Sequence, residues 1–294
     1  MKYLITGAEG QLGRAVKSYA RFRGYETLAM EFSQLDICAV DQVLRVVKEY
    51  RPDFIINCAA YTRIESAELE AERCQAVNAD AVRVLATVCK QFDIELIHLS
   101  SDHVFSGTKV GQYCEEDEPD PVSVYGRSKL LGEQYLRSEW SKHVIVRSSW
   151  VFGEYGNNFF SRLLEATKSN SELRVPTDQH GCPTYSHDLA VVLVAITEQL
   201  SCKTTDRLWG TYHYCGYDST TWHKLALYIL QENSRFTDTV AVGVVPVAGE
   251  ENFQRPNSVL NCQKILNSFG IKQRPWKNGI LKSLKAYYVD QVVD

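Results

Sequence analysis

A tyrosine and a lysine four residues apart, Tyr125 and Lys129, form a pair that could do acid–base chemistry. The apolar spacing from Val124 to Arg137 predicts a helix, and residues four apart on a helix project from one face. An ammonium beside a phenol favours the phenolate, so Lys129 is expected to lower the pKa of Tyr125 from about 10. Such a tyrosine can give a proton to a carbonyl oxygen as hydride reaches the carbonyl carbon.

The residues that end a predicted strand could act on the same carbonyl group. The run from Leu96 to Ser100 is typical of a buried strand, and Ser101, Asp102 and His103 follow it. In a parallel sheet the carboxyl ends of the strands open onto the ligand crevice. Ser101 is therefore expected to hydrogen-bond the carbonyl oxygen, unless the serines merely close the strand.

Three early glycines are spaced as in a dinucleotide-binding turn. Gly7, Gly10 and Gly13 follow a predicted strand, Lys2–Thr6, and open a predicted helix, Gln11–Phe22. The first glycine permits a tight turn, the second lets the backbone approach a pyrophosphate, and the third lets helix and strand pack closely. Amides at the start of the helix then face the phosphates, where the helix dipole favours negative charge. This order of elements predicts a site for NADH or NADPH.

The end of the second predicted strand, Glu26–Met30, bears on the choice between the two cofactors. Glu31 follows that strand, and no arginine comes immediately after it. A carboxylate here can accept hydrogen bonds from the adenosine ribose and would repel a 2′-phosphate. Glu31 therefore favours NADH over NADPH, unless it is a solvated loop residue.

These residues need a scaffold that alternates strands and helices, and the chain predicts one. Further apolar patterns predict strands at Phe54–Ile56 and Val144–Val146 and helices at Val40–Tyr50 and Glu68–Phe92. After Trp150 the alternation loosens into predicted helices at Phe159–Ala166, Leu189–Leu200 and Ile280–Tyr288 and a predicted strand at Val240–Val247. The expected fold is α/β: a Rossmann-like doubly wound parallel sheet with a smaller C-terminal substrate-binding lobe. The expected division is residues 1–150 for the core and residues 151–294 for the lobe, interwoven with it.

The composition narrows the class of protein. Of 294 residues 45% are hydrophobic and the net charge is −4, which is ordinary for a globular protein and argues against nucleic-acid binding. No run approaches the ~20 apolar residues that cross a membrane. The nine cysteines show neither a Cys-x-x-Cys pair nor metal-ligand spacing, which predicts reduced thiols in a cytoplasmic protein without a metal site. A homodimer is possible, and these features neither indicate nor exclude it.

Short motifs along essentially the whole chain resemble, in their order, those of the dTDP-4-dehydrorhamnose reductases. That family belongs to the extended short-chain dehydrogenase/reductases. The motifs are Gly7–Gly13, Asn57–Thr62, Val77–Asp80, Ser100–Phe105, Tyr125–Lys129, Arg147–Gly153, Gly156–Phe159, Asp178–Thr184 and Arg255–Ser258. The resemblance implies reduction of the C4 keto group of dTDP-4-dehydro-L-rhamnose, or of a related nucleotide-linked keto-sugar, with NADH or NADPH. The product would be dTDP-L-rhamnose.

The resemblance also implies roles for individual residues. Tyr125 would be the proton donor, Lys129 would position it and the nicotinamide ribose, and Ser101 would polarise the keto oxygen. The implied cofactor contacts are Gly7, Gln11 and Leu12 at the pyrophosphate, Asp36 and Ile37 at the adenine, and Ala59, Ala60 and Tyr61 at the ribose. The implied substrate contacts are Ser101, Asp102, His103, Trp150, Asn158 and Arg255, the last as a cation for the diphosphate. Trp150 could instead be a core aromatic, and Arg255 part of a surface salt bridge.

Three positions depart from the pattern of the family. His103 stands where tyrosine is usual, and Glu65 and Asn261 stand where aspartate is common. A histidine can still hydrogen-bond, but it titrates near neutral pH. His103 therefore leaves the particular sugar open.

Three related classes of protein compete with this interpretation. A sugar-nucleotide 4,6-dehydratase needs glutamate at the position of His103, and a 4-epimerase usually lacks an acid like Asp102. The non-catalytic alternative is an NADP-binding regulatory subunit resembling the β subunit of methionine adenosyltransferase, whose tail is similar to Arg255–Asn257. The segments Asn57–Thr62 and Arg147–Phe159 favour the enzyme.

Overall fold

A computed structural model describes residues 1–202, 206–237, 243–249 and 255–290 of the chain. Its strands are β1 (Lys2–Thr6), β2 (Glu26–Met30), β3 (Phe54–Asn57), β4 (Glu95–Ser101), β5 (His143–Ser148), β6 (Val151–Phe152), β7 (Glu172–Pro176), β8 (His180–Gly181), β9 (Thr184–Tyr185), β10 (Gly210–His213), β11 (Thr220–Thr221) and β12 (Gly243–Val247). Its helices are α1 (Gln11–Phe22), α2 (Val40–Tyr50), α3 (Ile64–Ala67), α4 (Ala71–Gln75), α5 (Ala81–Phe92), α6 (Val124–Glu139), α7 (Phe159–Thr167), α8 (Ser186–Cys202), α9 (Trp222–Asn233), α10 (Gln263–Phe269) and α11 (Trp276–Asp290).

The central sheet has six parallel strands in the order β2-β1-β3-β4-β5-β10. Its strands are apolar because helices cover both faces, which matches the predicted α/β, Rossmann-like class. The chain runs from β1 outward to β2 and returns to β3 on the other side of β1. Such a reversal opens a crevice at the carboxyl ends of the strands. A hydrogen bond of 2.7 Å from Thr6 Oγ1 to Asn57 Oδ1 joins the two strand ends at this point.

The long helix predicted from Glu68 to Phe92 is observed from Ala71 to Phe92, but it is not α-helical throughout. The segment divides into α4, a π-helical turn over Ala76–Asp80, and α5. The turn carries Asn78, whose Nδ2 donates to the backbone oxygen of Tyr61 at 3.0 Å and to Ser128 Oγ at 3.0 Å. The extra residue in the turn thus turns a buried amide toward two neighbouring segments, as such insertions often do near functional sites.

The second half of the chain builds a smaller layer and also completes the sheet. It contains three two-stranded pairs, β6 with β9, β7 with β12 and β8 with β11. An apolar cluster joins α7, α9 and α11 to side chains of β6, β7 and β9. β10 is hydrogen-bonded to β5, and α8 packs against α1 in the core layer. Of the strand predicted at Val240–Val247, the part from Gly243 onward is observed and residues 240–242 lie outside the described residues. No helix in the described part of the chain is long and apolar enough to cross a membrane.

Candidate active site

A cleft of about 1630 Å³ lies at the carboxyl ends of the sheet strands. Its volume exceeds the usual range for a single small ligand, about 300–1,000 Å³, so there is room for a dinucleotide and a second molecule. The predicted site residues that line it are Gly7, Gly10, Gln11, Leu12, Glu31, Asp36, Ile37, Ala59, Ala60, Tyr61, Ser101, Asp102, His103, Tyr125, Lys129, Trp150, Asn158 and Arg255. Gly13 does not line the cleft, because it packs against the preceding turn.

The glycine turn at the start of α1 is shaped to receive a pyrophosphate. Gly7 has φ +66°, and a Cβ there would lie 2.6 Å from the backbone nitrogen of Ala59. A Cβ on Gly13 would collide with the carbonyl oxygen of Gly7, so this glycine allows the helix to pack on the turn. Gly10 differs, since a Cβ there meets protein only at 3.3 Å, from Gly7 O, and would otherwise project where the cleft is. The residues present therefore fit a dinucleotide at this end of the cleft.

The acidic residues after β2 are held by local hydrogen bonds. Glu31 Oε1 accepts a hydrogen bond of 2.7 Å from Ser33 Oγ, and Asp36 Oδ1 accepts one of 2.9 Å from the backbone nitrogen of Cys38. Both carboxylates lie at the same end of the cleft, next to the buried Ile37. Glu31 makes this end polar and Ile37 makes it apolar. Such a combination is expected where a ribose and an adenine would lie.

The end of β4 brings a hydroxyl and a carboxylate to the centre of the cleft. Ser101 Oγ donates to Asp102 Oδ1 at 3.1 Å and accepts from the backbone nitrogen of His103 at 3.2 Å. The serine thereby caps a 3₁₀ turn over Asp102–Val104. Asp102 is itself paired with Arg255, whose Nη1 lies 3.0 Å from Asp102 Oδ2. The turn is therefore rigid, and Arg255 belongs to a nearly buried ion pair rather than to a surface salt bridge.

Tyr125 lies beside this turn, in the first turn of α6, with its side chain almost fully buried. Burial raises the pKa of Tyr125 to about 12, and a hydrogen bond with Ser101 only partly offsets this. The expected lowering of this pKa is therefore wrong. The cost of desolvating a phenolate outweighs the neighbouring charges. At neutral pH Tyr125 is a protonated phenol, which is the form that can give away a proton.

Lys129 follows Tyr125 by one helical turn and is also buried. Its Nζ donates to the backbone oxygen of Leu99 at 2.7 Å. Burial lowers the pKa of Lys129 to about 8, and the carboxylate of Glu133 opposes that fall. Glu133 in turn accepts hydrogen bonds from Arg147, Nε to Oε1 at 2.9 Å and Nη2 to Oε2 at 2.7 Å. The sequence carried a signal for Glu133, because it continues the four-residue spacing of Tyr125 and Lys129.

Comparisons with known proteins agree with this geometry. Residues 1–289 match the family model described as the RmlD substrate binding domain. A dTDP-4-dehydrorhamnose reductase of Aggregatibacter actinomycetemcomitans is 39% identical over 97% of this chain and 99% of its own length. The chain belongs to the dTDP-4-dehydrorhamnose reductase family. Another reductase of that name, from Sinorhizobium fredii, is 36% identical over 94% of each chain.

Solved structures lead to the same family. The dTDP-4-dehydrorhamnose reductase of Bacillus anthracis, in complex with NADP, superposes with a TM-score of 0.88 at 33% identity and covers 97% of this chain and 99% of its own. The regulatory-subunit alternative is not favoured, because the relatives matched over nearly their whole length are named as reductases.

One wall of the cleft contains an aromatic stack that the sequence did not reveal. Trp150, at φ +46°, stacks on Trp222 with ring centroids 3.4 Å apart and an interplanar angle of 7°. Phe159 also packs against Trp222, with ring centroids 4.5 Å apart and an interplanar angle of 40°. A Cβ on Gly181 would collide with the indole of Trp150, so this glycine admits the ring. No helix was predicted over Trp222–Asn233, so the role of Trp222 was missed.

Asn158 also lines the cleft of this reductase, but both polar atoms of its side chain are already hydrogen-bonded within the protein. Its Oδ1 accepts from the backbone nitrogen of Ser161 and caps α7. Its Nδ2 lies within 3.1 Å of three oxygens, those of Gln11 Oε1, Gly153 O and Tyr155 O. Asn158 therefore ties the start of α7 to the glycine turn.

Proposed function

We propose that this protein reduces the C4 keto group of dTDP-4-dehydro-L-rhamnose, or of a related nucleotide-linked keto-sugar, to dTDP-L-rhamnose with NADH or NADPH. The observation that carries the proposal is that Ser101, Tyr125 and Lys129 share one cleft with the glycine turn. The reductase names of the relatives support the same substrate.

We place the cofactor at the end of the cleft that contains the glycine turn, because the shape of that turn fits a pyrophosphate. When bound, NADH or NADPH supplies the hydride that reduces the keto carbon. Gly7, Gly10, Gln11 and Leu12 would hold its pyrophosphate, with Gly13 allowing the turn to close. The remaining contacts would come from residues at the adenosine and nicotinamide-ribose ends, namely Glu31, Asp36, Ile37, Ala59, Ala60, Tyr61 and Lys129.

The proton that completes the reduction comes from Tyr125 in this proposal. Its raised pKa keeps the phenol protonated until the keto oxygen gains negative charge. The Ser101 hydroxyl would turn from Asp102 Oδ1 to donate to the same oxygen, and would so orient the carbonyl between the two hydroxyls. The Lys129 ammonium then stabilises the phenolate that Tyr125 becomes.

The substrate end is assigned to Asp102, His103, Trp150, Asn158 and Arg255. Arg255 would present positive charge to the diphosphate while it anchors Asp102. Trp150 would offer an edge to the sugar, because Trp222 covers one of its faces and Gly181 abuts the ring. Asn158 would shape this wall through its bonds to Gln11 and Gly153.

The organisation and surroundings of the protein complete the proposal. Residues 1–150 would supply mainly the cofactor site, and residues 151–294 mainly the substrate-binding lobe interwoven with it. All nine cysteines are free thiols, which suits the reducing cytoplasm. A homodimer is compatible with the reaction and is tested by light scattering of the purified protein.

The deciding experiment follows oxidation of NADH and of NADPH at 340 nm, with dTDP-4-dehydro-L-rhamnose generated in situ. Turnover with either cofactor supports the proposal. Glu31 favours NADH, whereas the Bacillus anthracis relative was solved with NADP, so both enter the assay. Tight cofactor binding without turnover of this substrate, or of other dTDP-linked 4-keto-sugars, would overturn the reductase assignment.

Activity is expected to fall at alkaline pH through Lys129. Its ammonium is present below about pH 8 and lost above it, so kcat/KM should fall about tenfold per pH unit on that side. Lys129→Met should lower the rate and weaken cofactor binding, and its residual activity should not show this alkaline decline. A wild-type profile that stays flat to pH 10 would contradict the assignment of the charge to Lys129.

Gly10→Ala should weaken cofactor binding without unfolding the protein. The new methyl group would lie 3.3 Å from its nearest protein atom, Gly7 O. It would therefore mainly occupy the part of the cleft in which we place the pyrophosphate. We expect the Kd for NADH and NADPH to rise by about tenfold or more, equivalent to about 1.4 kcal/mol. Fluorescence titration measures the Kd, and thermal unfolding checks the fold. Gly243→Ala is the control, because Gly243 is exposed and its Cβ would meet protein only at 3.7 Å, from Ser171 O; equal Kd values for the two variants would exclude Gly10 from the site.

A further inference from the structure

The side chain of Gln11 uses both ends of its amide to bind a segment far along the chain. Its Oε1 accepts a hydrogen bond of 3.1 Å from Asn158 Nδ2, and its Nε2 donates to the backbone oxygen of Val151 at 3.3 Å. Its Cβ lies 3.6 Å from the position that a Cβ on Gly156 would take. All three partners belong to segment 151–158, which follows the end of β5 and leads into α7.

The backbone of Gln11 borders the other site in the cleft. Gln11 is the first residue of α1. An N–H group at the start of a helix has no carbonyl of its own helix to bond, so it is available to an anion. One residue therefore contacts both halves of the cleft. Its backbone lies where we place the pyrophosphate, and its side chain lies against segment 151–158.

Segment 151–158 connects two rings of the aromatic wall. Trp150 directly precedes the segment and Phe159 directly follows it, and both rings pack on Trp222. The segment is exposed at Gly156, so burial alone does not fix its position there. Its position depends on hydrogen bonds to a neighbour that is itself held in place, and a displaced segment would displace the two rings at its ends.

The amide of Asn158 has more acceptors nearby than it has hydrogens. Nδ2 carries two hydrogens, but three oxygens lie within 3.1 Å of it, namely Gln11 Oε1, Gly153 O and Tyr155 O. Without the Gln11 amide, Asn158 could still donate both hydrogens inside its own segment, and its Oδ1 would still cap α7. The loss would therefore remove the connection between the segment and the glycine turn and would preserve the fold of each.

We propose that Gln11 is a positioning residue for the sugar nucleotide, whose side chain holds segment 151–158, and with it Trp150, against the glycine turn. The inference rests on the proposed function, which places the sugar beside Trp150 and the pyrophosphate at the turn. Because the amide is bonded to the protein, the side chain supports substrate binding and not cofactor binding. Cofactor affinity depends instead on the backbone of Gln11, which a substitution leaves in place.

The test is Gln11→Met, which keeps the length and the helix preference of the side chain but removes its amide. At saturating cofactor, the KM for dTDP-4-dehydro-L-rhamnose should rise about tenfold or more, as expected for the loss of two hydrogen bonds. The Kd for NADH and for NADPH, from fluorescence titration, should stay within about twofold of wild type. Gln91→Met makes the same change at an exposed position of α5 outside the cleft and should alter neither quantity.

A double-variant cycle tests whether the bond between the two side chains is the cause. Asn158→Ser keeps a hydroxyl that can cap α7 but loses the donor to Gln11. It should raise KM by itself and leave the cofactor Kd unchanged. In Gln11→Met/Asn158→Ser the rise in KM should be clearly smaller than the product of the two single effects. Thermal unfolding checks that each variant is folded, and Asn158→Ser gives the same comparison if Gln11→Met is unstable.

Three results would overturn the inference and leave the proposed function standing. The first is a cofactor Kd that rises in Gln11→Met as much as KM does, because the amide would then reach the cofactor. The second is an unchanged KM in a folded Gln11→Met protein. The third is a double variant whose effect equals the product of the single effects. Absence of turnover in wild type would instead overturn the proposed function and this inference together.

Discussion

Tyr125→Phe is expected to lower kcat by about 10²-fold or more while cofactor affinity changes little. The substitution removes a single oxygen from a side chain that is 8% exposed, so the packing around α6 is preserved. The lost oxygen is the proton donor, and Ser101, which hydrogen-bonds the keto oxygen in this proposal, cannot replace it because an alcohol is a weaker acid than a phenol. Steady-state rates at saturating substrate and a fluorescence titration of the cofactor measure the two quantities separately.

The matched control for this prediction lies on the same helix. Tyr135 is half-buried and packs under Arg83, 5.3 Å from the guanidinium carbon to the ring centroid, outside the cleft. Tyr135→Phe makes the same chemical change and should leave kcat within about twofold of wild type, since surface substitutions usually have small effects. If Tyr125→Phe also keeps full turnover, another group delivers the proton and the assignment of Tyr125 is wrong.

Glu133→Leu is expected to lower the free energy of unfolding by about 3–5 kcal/mol. The side chains of Glu133 and Arg147 are 0% and 2% exposed, and their charges compensate one another under α6. Removing the carboxylate leaves the Arg147 guanidinium buried without its anion, which is far more costly than losing an exposed pair. Denaturant unfolding followed by far-UV circular dichroism measures the change.

Two companions distinguish the loss of charge compensation from a simple loss of packing. The double variant Glu133→Leu/Arg147→Met should recover most of the stability, because the buried Arg147 guanidinium, which the single variant leaves without its anion, is then absent. Glu165→Gln breaks an exposed pair with Lys168, whose side chains are 70% and 51% exposed, and should cost less than about 1 kcal/mol. A double variant as unstable as the single one would show that packing, not charge, dominates at Glu133.

The parts of the fold that the sequence predicted correctly depend on local patterns. β1, α1, β2 and α2 begin and end at the predicted residues, because apolar periodicity and the glycine turn mark them directly. The glycine turn and the Tyr125–Lys129 pair were also visible as spacing along the chain. The α/β class follows from the same alternation of elements.

The parts that were wrong or missed depend on contacts between distant segments. The π-helical turn inside the helix predicted at Glu68–Phe92 carries Asn78, whose bonds to Tyr61 and Ser128 join distant segments that no local pattern reveals. The pKa of Tyr125 rises because of burial by the whole surrounding structure. Trp222 reaches Trp150 from 72 positions further along the chain.

The late position of β10 in the chain has a consequence for synthesis on the ribosome. β5 is complete at Ser148, but its partner β10 is not made until Gly210–His213, and α8 reaches α1 only from Ser186 onward. Until about sixty more residues have emerged, β5 lacks its partner strand and α1 has an uncovered apolar face. Pausing or premature termination between these positions would therefore release a chain that is prone to pair with other strands, and chaperone demand should be greatest in that interval.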